Sequence, residues 1–236
     1  MSDNKTSILE IESAVVRFVG DSGDGMQLTG SNFTEATALY GNDLATFPDF
    51  PAEIRAPAGA TFGVSAFQIY FGSEDVSTAG DDVDVLVAMN PAALITNVKD
   101  VPAGGLLIVD TDAFTDKNMA RAGYSSNPIE DGSLDAYRVI PIAVTKQVLE
   151  SVKPFGLSHK FAVRCKNMWT LGLVSWMYDR DIEPTVNWLE AKFKKLPEIA
   201  NAILKATGAV AFSIAQNNGK EAKQIVPHVH VHIIPR

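Results

Sequence analysis

The sequence predicts an α/β protein built on a doubly wound, mostly parallel sheet with Rossmann-like topology, a helical C-terminal part and a short β-hairpin-like tail. Three observations carry this. A β-branched run, AVVRFVG, ends on glycine and passes through DSGDG into the helical pattern MQLTGSNFTEATALYG. Two further apolar runs, VDVLVAMN and GGLLIVDTDAF, each lead into a helix start. The strand-then-helix order repeats over about 150 residues, which is how parallel sheets with crossover helices read in sequence.

Taken in order, residues 14–20 form the first strand. In the helix that follows, Met26, Leu28, Phe33, Ala36, Thr37 and Leu39 are spaced to lay one face on a sheet. The stretch DLATFPDFPAEIRAPAGATFG is expected to be an ordered loop stiffened by Pro48, Pro51 and Pro57, ahead of the alternating strand VSAFQIYFG. Residues 83–90 form a buried parallel strand, and Pro91 falls in the first turn of the next helix. A strand at 105–109 precedes Asp112 near a helix start, and YRVIPIAVT adds a strand with Thr145 as the cap of KQVLESVK. KFAVRCKNMWTLGLVSWMY reads as one long helix from Ser158 to Tyr178, with Cys165 in its middle as a small buried residue. EPTVNWLEAKFKK and PEIANAILKA read as two shorter helices. After Thr207-Gly208 the composition changes to a strand, a turn at Asn218-Gly219 and a histidine strand, which places a domain boundary near 207: residues 1–206, then 207–236.

Composition bounds the function. With 46% hydrophobic and 20% charged residues, the 236-residue chain has the make-up of a globular protein. A formal net charge of -8 gives no positive field to draw it to nucleic acid or anionic lipid, so neither is expected as a partner. No apolar run approaches a membrane span and the N-terminus lacks a leader pattern, so the expected location is the cytoplasm. The single cysteine excludes an internal disulfide and a cluster held by this chain alone.

Gly20, Asp21, Ser22, Gly23, Asp24 and Gly25 lie at a strand's carboxyl end before a helix, where open α/β sheets bind ligands. Their spacing is G-x-x-G-x-G, and two aspartates would repel a pyrophosphate. Phosphate or cofactor contact and a turn that needs glycine torsions both remain open. Asn90 sits on the same edge, as a ligand contact or as a helix cap. Asp49, Glu53 and Arg55 stand on the proline-stiffened loop, as a docking surface or as a pair holding the loop to its own domain. The tryptophans, Trp169, Trp176 and Trp188, read as core or interface anchors. No metal-ligating cluster is assigned.

The ordered blocks RFVGDSGDGMQLTG, GNDLATFPDFPAEIRAPAG, GVSAFQIYFGS, VDVLVAMNPAAL, YSSNPIEDGSLDAYRVIPI and RCKNMWTLGLVSWM resemble the N-terminal gamma domain of the alpha subunit of 2-oxoacid:ferredoxin oxidoreductases, especially the 2-oxoglutarate type. The resemblance implies a complex that oxidatively decarboxylates a 2-oxoacid, joins the acyl group to coenzyme A and reduces ferredoxin. It implies that thiamine diphosphate, Mg²⁺ and an iron–sulfur cluster sit in partner regions, and that this chain binds none of them alone. The implied partners are the beta subunit, the remaining alpha-subunit domain and, indirectly, ferredoxin. The Gly-rich loop and Asn90 become cleft-facing candidates, and Asp49, Glu53 and Arg55 interface candidates. The embedded GDG is similar to the start of a thiamine diphosphate motif, but no asparagine pair follows at the needed distance: after Asn42 the next asparagine is Asn90.

The terminal QNNGKEAKQIVPHVHVHIIPR resembles the C-terminal signature of the histidine triad nucleotide hydrolases and transferases. His228, His230 and His232 alternate, so their imidazoles share one face of a strand about 6 to 7 Å apart. In that family the middle histidine, here His230, attacks the nucleotide α-phosphate. Three readings compete: a fragment joined to an unrelated domain, a strand that binds metal adventitiously, and a working triad site.

Overall fold

A computed structural model describes residues 11–50, 63–181, 183–185, 212–215 and 232–235. Six strands form one sheet in the order β2-β3-β1-β4-β5-β6. They are β1 (Ser13–Asp21), β2 (Asp43–Asp49), β3 (Val64–Gly72), β4 (Val85–Ala88), β5 (Leu106–Asp110) and β6 (Arg138–Ile142). β1, β4, β5 and β6 run parallel to their neighbours, while β3 enters antiparallel between β1 and β2.

The helices cover both faces, as the doubly wound expectation required. Alternation in β1 sends Ala14, Val16 and Phe18 to one face and Val15 and Val19 to the other. On the first face lie α1 (Met26–Leu39), α4 (Val144–Val152), α5 (His159–Val163) and α6 (Lys166–Met177), through Phe33, Val148, Met168 and Leu171. On the second lie α2 (Pro91–Asn97) and α3 (Asp116–Ala122), through Leu94 and Met119. α1 meets the sheet at Gly30, where a Cβ would lie 2.0 Å from the Phe67 ring, so glycine sets the closeness of the layers.

Arg17 is the polar exception in β1. Its guanidinium donates to Gln68 Oε1 and Asn97 Oδ1 and pairs with Asp100, which satisfies a charge on an otherwise apolar face.

Three expectations need correction. The stretch expected to be a loop begins as β2, with Pro48 inside it. Proline is tolerated because β2 is an outermost strand, where a missing N–H breaks no inner ladder. The opposite outermost strand, β6, likewise contains Pro141. The single long helix is two: α5 stops at Val163, and Cys165 becomes the N-cap of α6. Thr145 does not cap α4. The cap position is Ala143, and the free N–H groups of Val144 and Lys146 find carboxylates instead.

The tail forms β7 (Phe212–Ala215) and β8 (His232–Pro235), paired antiparallel as a hairpin requires. The two helices expected over 186–206, the boundary near 207, the turn at Asn218-Gly219, and Glu53, Arg55, His228 and His230 all lie outside the described residues.

Candidate functional site

β1, β4, β5 and β6 point their carboxyl ends to one margin of the sheet, and the end of β2 and the start of β3 lie there too. The Gly-rich turn is built on that margin. Asp21 closes β1. Asp24 N–H donates to Asp21 O (2.9 Å), and Asp21 N–H donates to the Asp24 carboxylate (2.9 Å), so the two aspartates lock the turn through backbone as well as side chain. Gly25 starts α1 in the left-handed region at φ 81, which favours glycine. A Cβ there would also lie 2.2 Å from Asn167 Nδ2, so the helix starts α1 and α6 touch. Thr29 Oγ1 donates to Asn167 O in the same contact (3.2 Å).

Asn90 caps α2 and also reaches the turn after β1. Its Oδ1 accepts from Ala93 N–H (2.8 Å), capping α2, and its Nδ2 donates to Asp21 Oδ1 (2.8 Å). The loops after β1 and β4 are thereby joined. A small cavity of about 50 Å³ sits beside this pair, lined by Asp21, Asn90, Pro91, Asn118 and Arg121. The space is well below the roughly 300 to 1,000 Å³ of ordinary ligand pockets, so it suits a small group rather than a dinucleotide.

The third strand end supplies a buried ion pair. Asp110 closes β5 with its side chain fully buried, and Lys166 Nζ approaches it at 3.2 Å from the first residue of α6. Asp110 also accepts from Val144 N–H (3.1 Å) and Thr145 Oγ1 (3.4 Å), so one carboxylate holds the start of α4 and the start of α6. The Lys166 charge reaches Asp21 and Asp24 as well. Burial raises both of their carboxyl pKa values. Asn90, Lys166 and Arg121 oppose the rise at Asp21, and Lys166 opposes it at Asp24.

Of the expected site residues, the structure brings Gly20, Asp21, Asp24, Gly25 and Asn90 together. Ser22 and Gly23 form the exposed tip. Asp49 is on the same margin, at the end of β2, where its carbonyl accepts from Gln27 Nε2 (3.0 Å). Gln27 also reaches Ser65 Oγ (3.0 Å) and Ala66 O (2.7 Å), tying the start of α1 to both β2 and β3. Gln27, Arg121 and Lys166 were missed in sequence. A polar residue just after a Gly-rich turn was a usable signal for Gln27, and nothing local marked the other two. Cys165 is buried, its thiol pushed up to about 11 by desolvation. Among the described residues no group of histidine, cysteine, aspartate and glutamate is arranged to hold a metal, and no helix is long and apolar enough to cross a membrane.

An open α/β sheet whose turns converge on one carboxyl margin defines a domain that presents loops to a ligand or a neighbouring subunit. The chain belongs to the pyruvate ferredoxin/flavodoxin oxidoreductase family, whose model matches residues 15–211. It is 53% identical over 199 residues to 2-oxoglutarate oxidoreductase subunit KorA of Mycobacterium tuberculosis, covering 84% of this chain and 30% of KorA. Its fold is similar to that of 2-oxoglutarate:ferredoxin oxidoreductase from Magnetococcus marinus, solved with 2-oxoglutarate, coenzyme A and succinyl-CoA bound. There the TM-score is 0.62 at 24% identity, over 84% of this chain and 31% of that one. A shorter similarity, 52% over 46 residues, is to adenylylsulfatase HINT3 of Arabidopsis thaliana, covering 20% of this chain and 23% of HINT3. The chain thus spans less than a third of each of these relatives.

Proposed function

We propose that residues 1–206 are the gamma domain of the alpha subunit of a 2-oxoglutarate:ferredoxin oxidoreductase, working inside a heteromeric complex. That complex converts a 2-oxoacid, coenzyme A and oxidised ferredoxin to acyl-CoA, CO₂ and reduced ferredoxin. The observation that carries the reading is the 53% identity to KorA over 199 residues. The domain's part is to frame the cleft: the Gly20–Gly25 turn and Asn90 face it, and Asp49, Glu53 and Arg55 belong to an interface with the beta subunit or the remaining alpha-subunit domain. Ferredoxin meets the complex elsewhere. The cytoplasm is the proposed location.

Thiamine diphosphate, when bound in such a complex, supplies the carbanion that decarboxylates the 2-oxoacid. Its site lies in partner regions on this reading. The Gly20–Gly25 turn offers Asp21, held by Asn90, and Asp24, held by the Asp21 backbone, but no asparagine pair follows at the distance such a magnesium–diphosphate motif needs, so this reading assigns the ion to partner regions. The cluster likewise needs thiolates from a partner, since this chain has one cysteine.

Co-expression of the full chain with the thiamine-binding domain and beta subunit of a KorA-type enzyme tests the proposal. The expected result is a stable complex that reduces a viologen dye with 2-oxoglutarate and coenzyme A, while the isolated chain is inactive. Absence of any complex would sink it.

The similarity to HINT3 favours a second reading for residues 207–236, a partial histidine triad tail in which His230 is the nucleophile. Hydrolysis of adenosine phosphoramidate by the full chain, abolished in His230→Ala, would establish it. No turnover by the wild-type chain would leave the tail a fragment.

A further inference from the structure

The margin opposite the carboxyl ends carries a feature that the proposed function does not use. α6 ends in a Schellman turn, in which Asp179 N–H donates to Trp176 O (3.3 Å) and Arg180 N–H to Ser175 O (2.8 Å). Such a turn needs one residue in the left-handed region, usually glycine. Here Asp179 fills it at φ 51, and among the described residues no other non-glycine has a positive φ. Aspartate is one of the few L residues that tolerate this conformation. Beyond the turn, the Arg180 guanidinium carbon lies 4.3 Å from the Tyr40 ring centroid and 5.1 Å from that of Phe71.

The guanidinium is short of partners. Arg180 Nε is buried without a hydrogen bond; the neighbouring Asp179 carboxylate favours its charge, but among the described residues no carboxylate lies within ion-pair distance of the side chain. Burial lowers its pKa, yet an arginine stays charged at any ordinary pH. A partly desolvated cation held between two rings is left with donors for an anion. Tyr40 beside it is 57% exposed, and two more apolar side chains at the same helix ends, Leu39 and Trp176, are 64% and 73% exposed. α1 and α6 run side by side, in contact at Thr29 and Asn167 near their starts and at Tyr40 and Arg180 beyond their ends, so the four residues come from one end of the helix pair.

Arginine and tryptophan are the side chains that most often dominate interface energies, and an open patch rather than a cavity suits a polypeptide more than an enclosed small molecule. We infer that Leu39, Tyr40, Trp176 and Arg180 form a docking surface for an aspartate or glutamate flanked by apolar residues, presented by the portion of an alpha subunit that corresponds to KorA outside the matched region. The inference rests on the functional reading above, and KorA carries the larger part of its length outside the matched region.

The test uses the full chain, co-expressed with the unmatched portion of Mycobacterium tuberculosis KorA and its partner subunit as the probe. Trp176→Glu and Arg180→Ala should each weaken the complex at least tenfold, and Trp176→Glu should leave the melting temperature of the free chain unchanged. In an Arg180→Lys variant, a zero-length carbodiimide crosslink should join position 180 to a carboxylate of the probe. Wild-type affinity in both variants, or a crosslink to a carboxylate of this chain, overturns the surface while leaving the functional reading intact. Failure of the wild-type chain to bind the probe at all overturns the functional reading, and the surface falls with it.

Discussion

Lys166→Met separates the structural weight of the buried ion pair from that of ordinary packing. The Asp110 side chain has no exposure, and Lys166 keeps 15% of its own at 3.2 Å. Methionine preserves the aliphatic stem and removes the charge, leaving a carboxylate buried with the Asp112 and Val144 N–H groups and the Thr145 hydroxyl but no cation. Breaking a buried pair from one side costs about 3 to 5 kcal/mol, because the remaining charge has lost both water and partner. For a domain of this size that corresponds to a drop in melting temperature of roughly 6 to 20 °C. Asp110→Asn keeps acceptors for α4 but removes the charge, so the double variant Asp110→Asn/Lys166→Met should recover much of the loss. The assay is urea unfolding of wild type, both single variants and the double. A coupling energy of about 2 kcal/mol or more is expected. Additive losses, or a Lys166→Met cost below about 1 kcal/mol, would refute the reasoning.

Other consequences follow from the same margin and its supports. Gly30→Ala places a methyl 2.0 Å from the Phe67 ring and should cost about 1 to 3 kcal/mol by overpacking, with partial rescue by Phe67→Leu in thermal melts. Asn90→Ala should cost about 1 kcal/mol for the lost α2 cap, and should raise the Asp21 carboxyl pKa further, readable by side-chain NMR titration. Because burial raises the Asp24 pKa above 3.8, the folded chain binds more protons than the unfolded one just above that pH, so this group's contribution falls as pH rises through its folded value. Asp24→Asn should flatten that fall in a series of unfolding curves at increasing pH; an unchanged slope contradicts the assignment. Cys165, with its thiol pushed up to about 11, should resist iodoacetamide at neutral pH until the chain is unfolded.

The parallel part of the sheet was legible because β4 and β5 are short apolar runs with helix starts behind them, a pattern that needs no tertiary information. β2 was not. Pro48 argues against a strand unless the strand is outermost, and being outermost is a property of the assembled sheet. The split between α5 and α6 was hidden for a related reason: no residue at the junction is a strong helix breaker, and the start of α6 carries Lys166 to Asp110, 56 positions away, a contact no local pattern announces. The carboxyl margin shows the same division. Asp21 and Asn90 were readable from their places at strand ends, and of the two readings of Asn90 the helix cap is the one the structure displays. Lys166 and Arg121 arrive from helices whose approach no local pattern announces.

The prolines at both outer strands reach beyond this one molecule. Pro48 and Pro141 each remove a donor from a row that an incoming extended chain would have to match. Among the described residues, the six-stranded sheet therefore offers neither flank as a template for cross-β growth. Crowding many copies together, as in high-level expression, meets an interrupted ladder on both flanks of this six-stranded sheet.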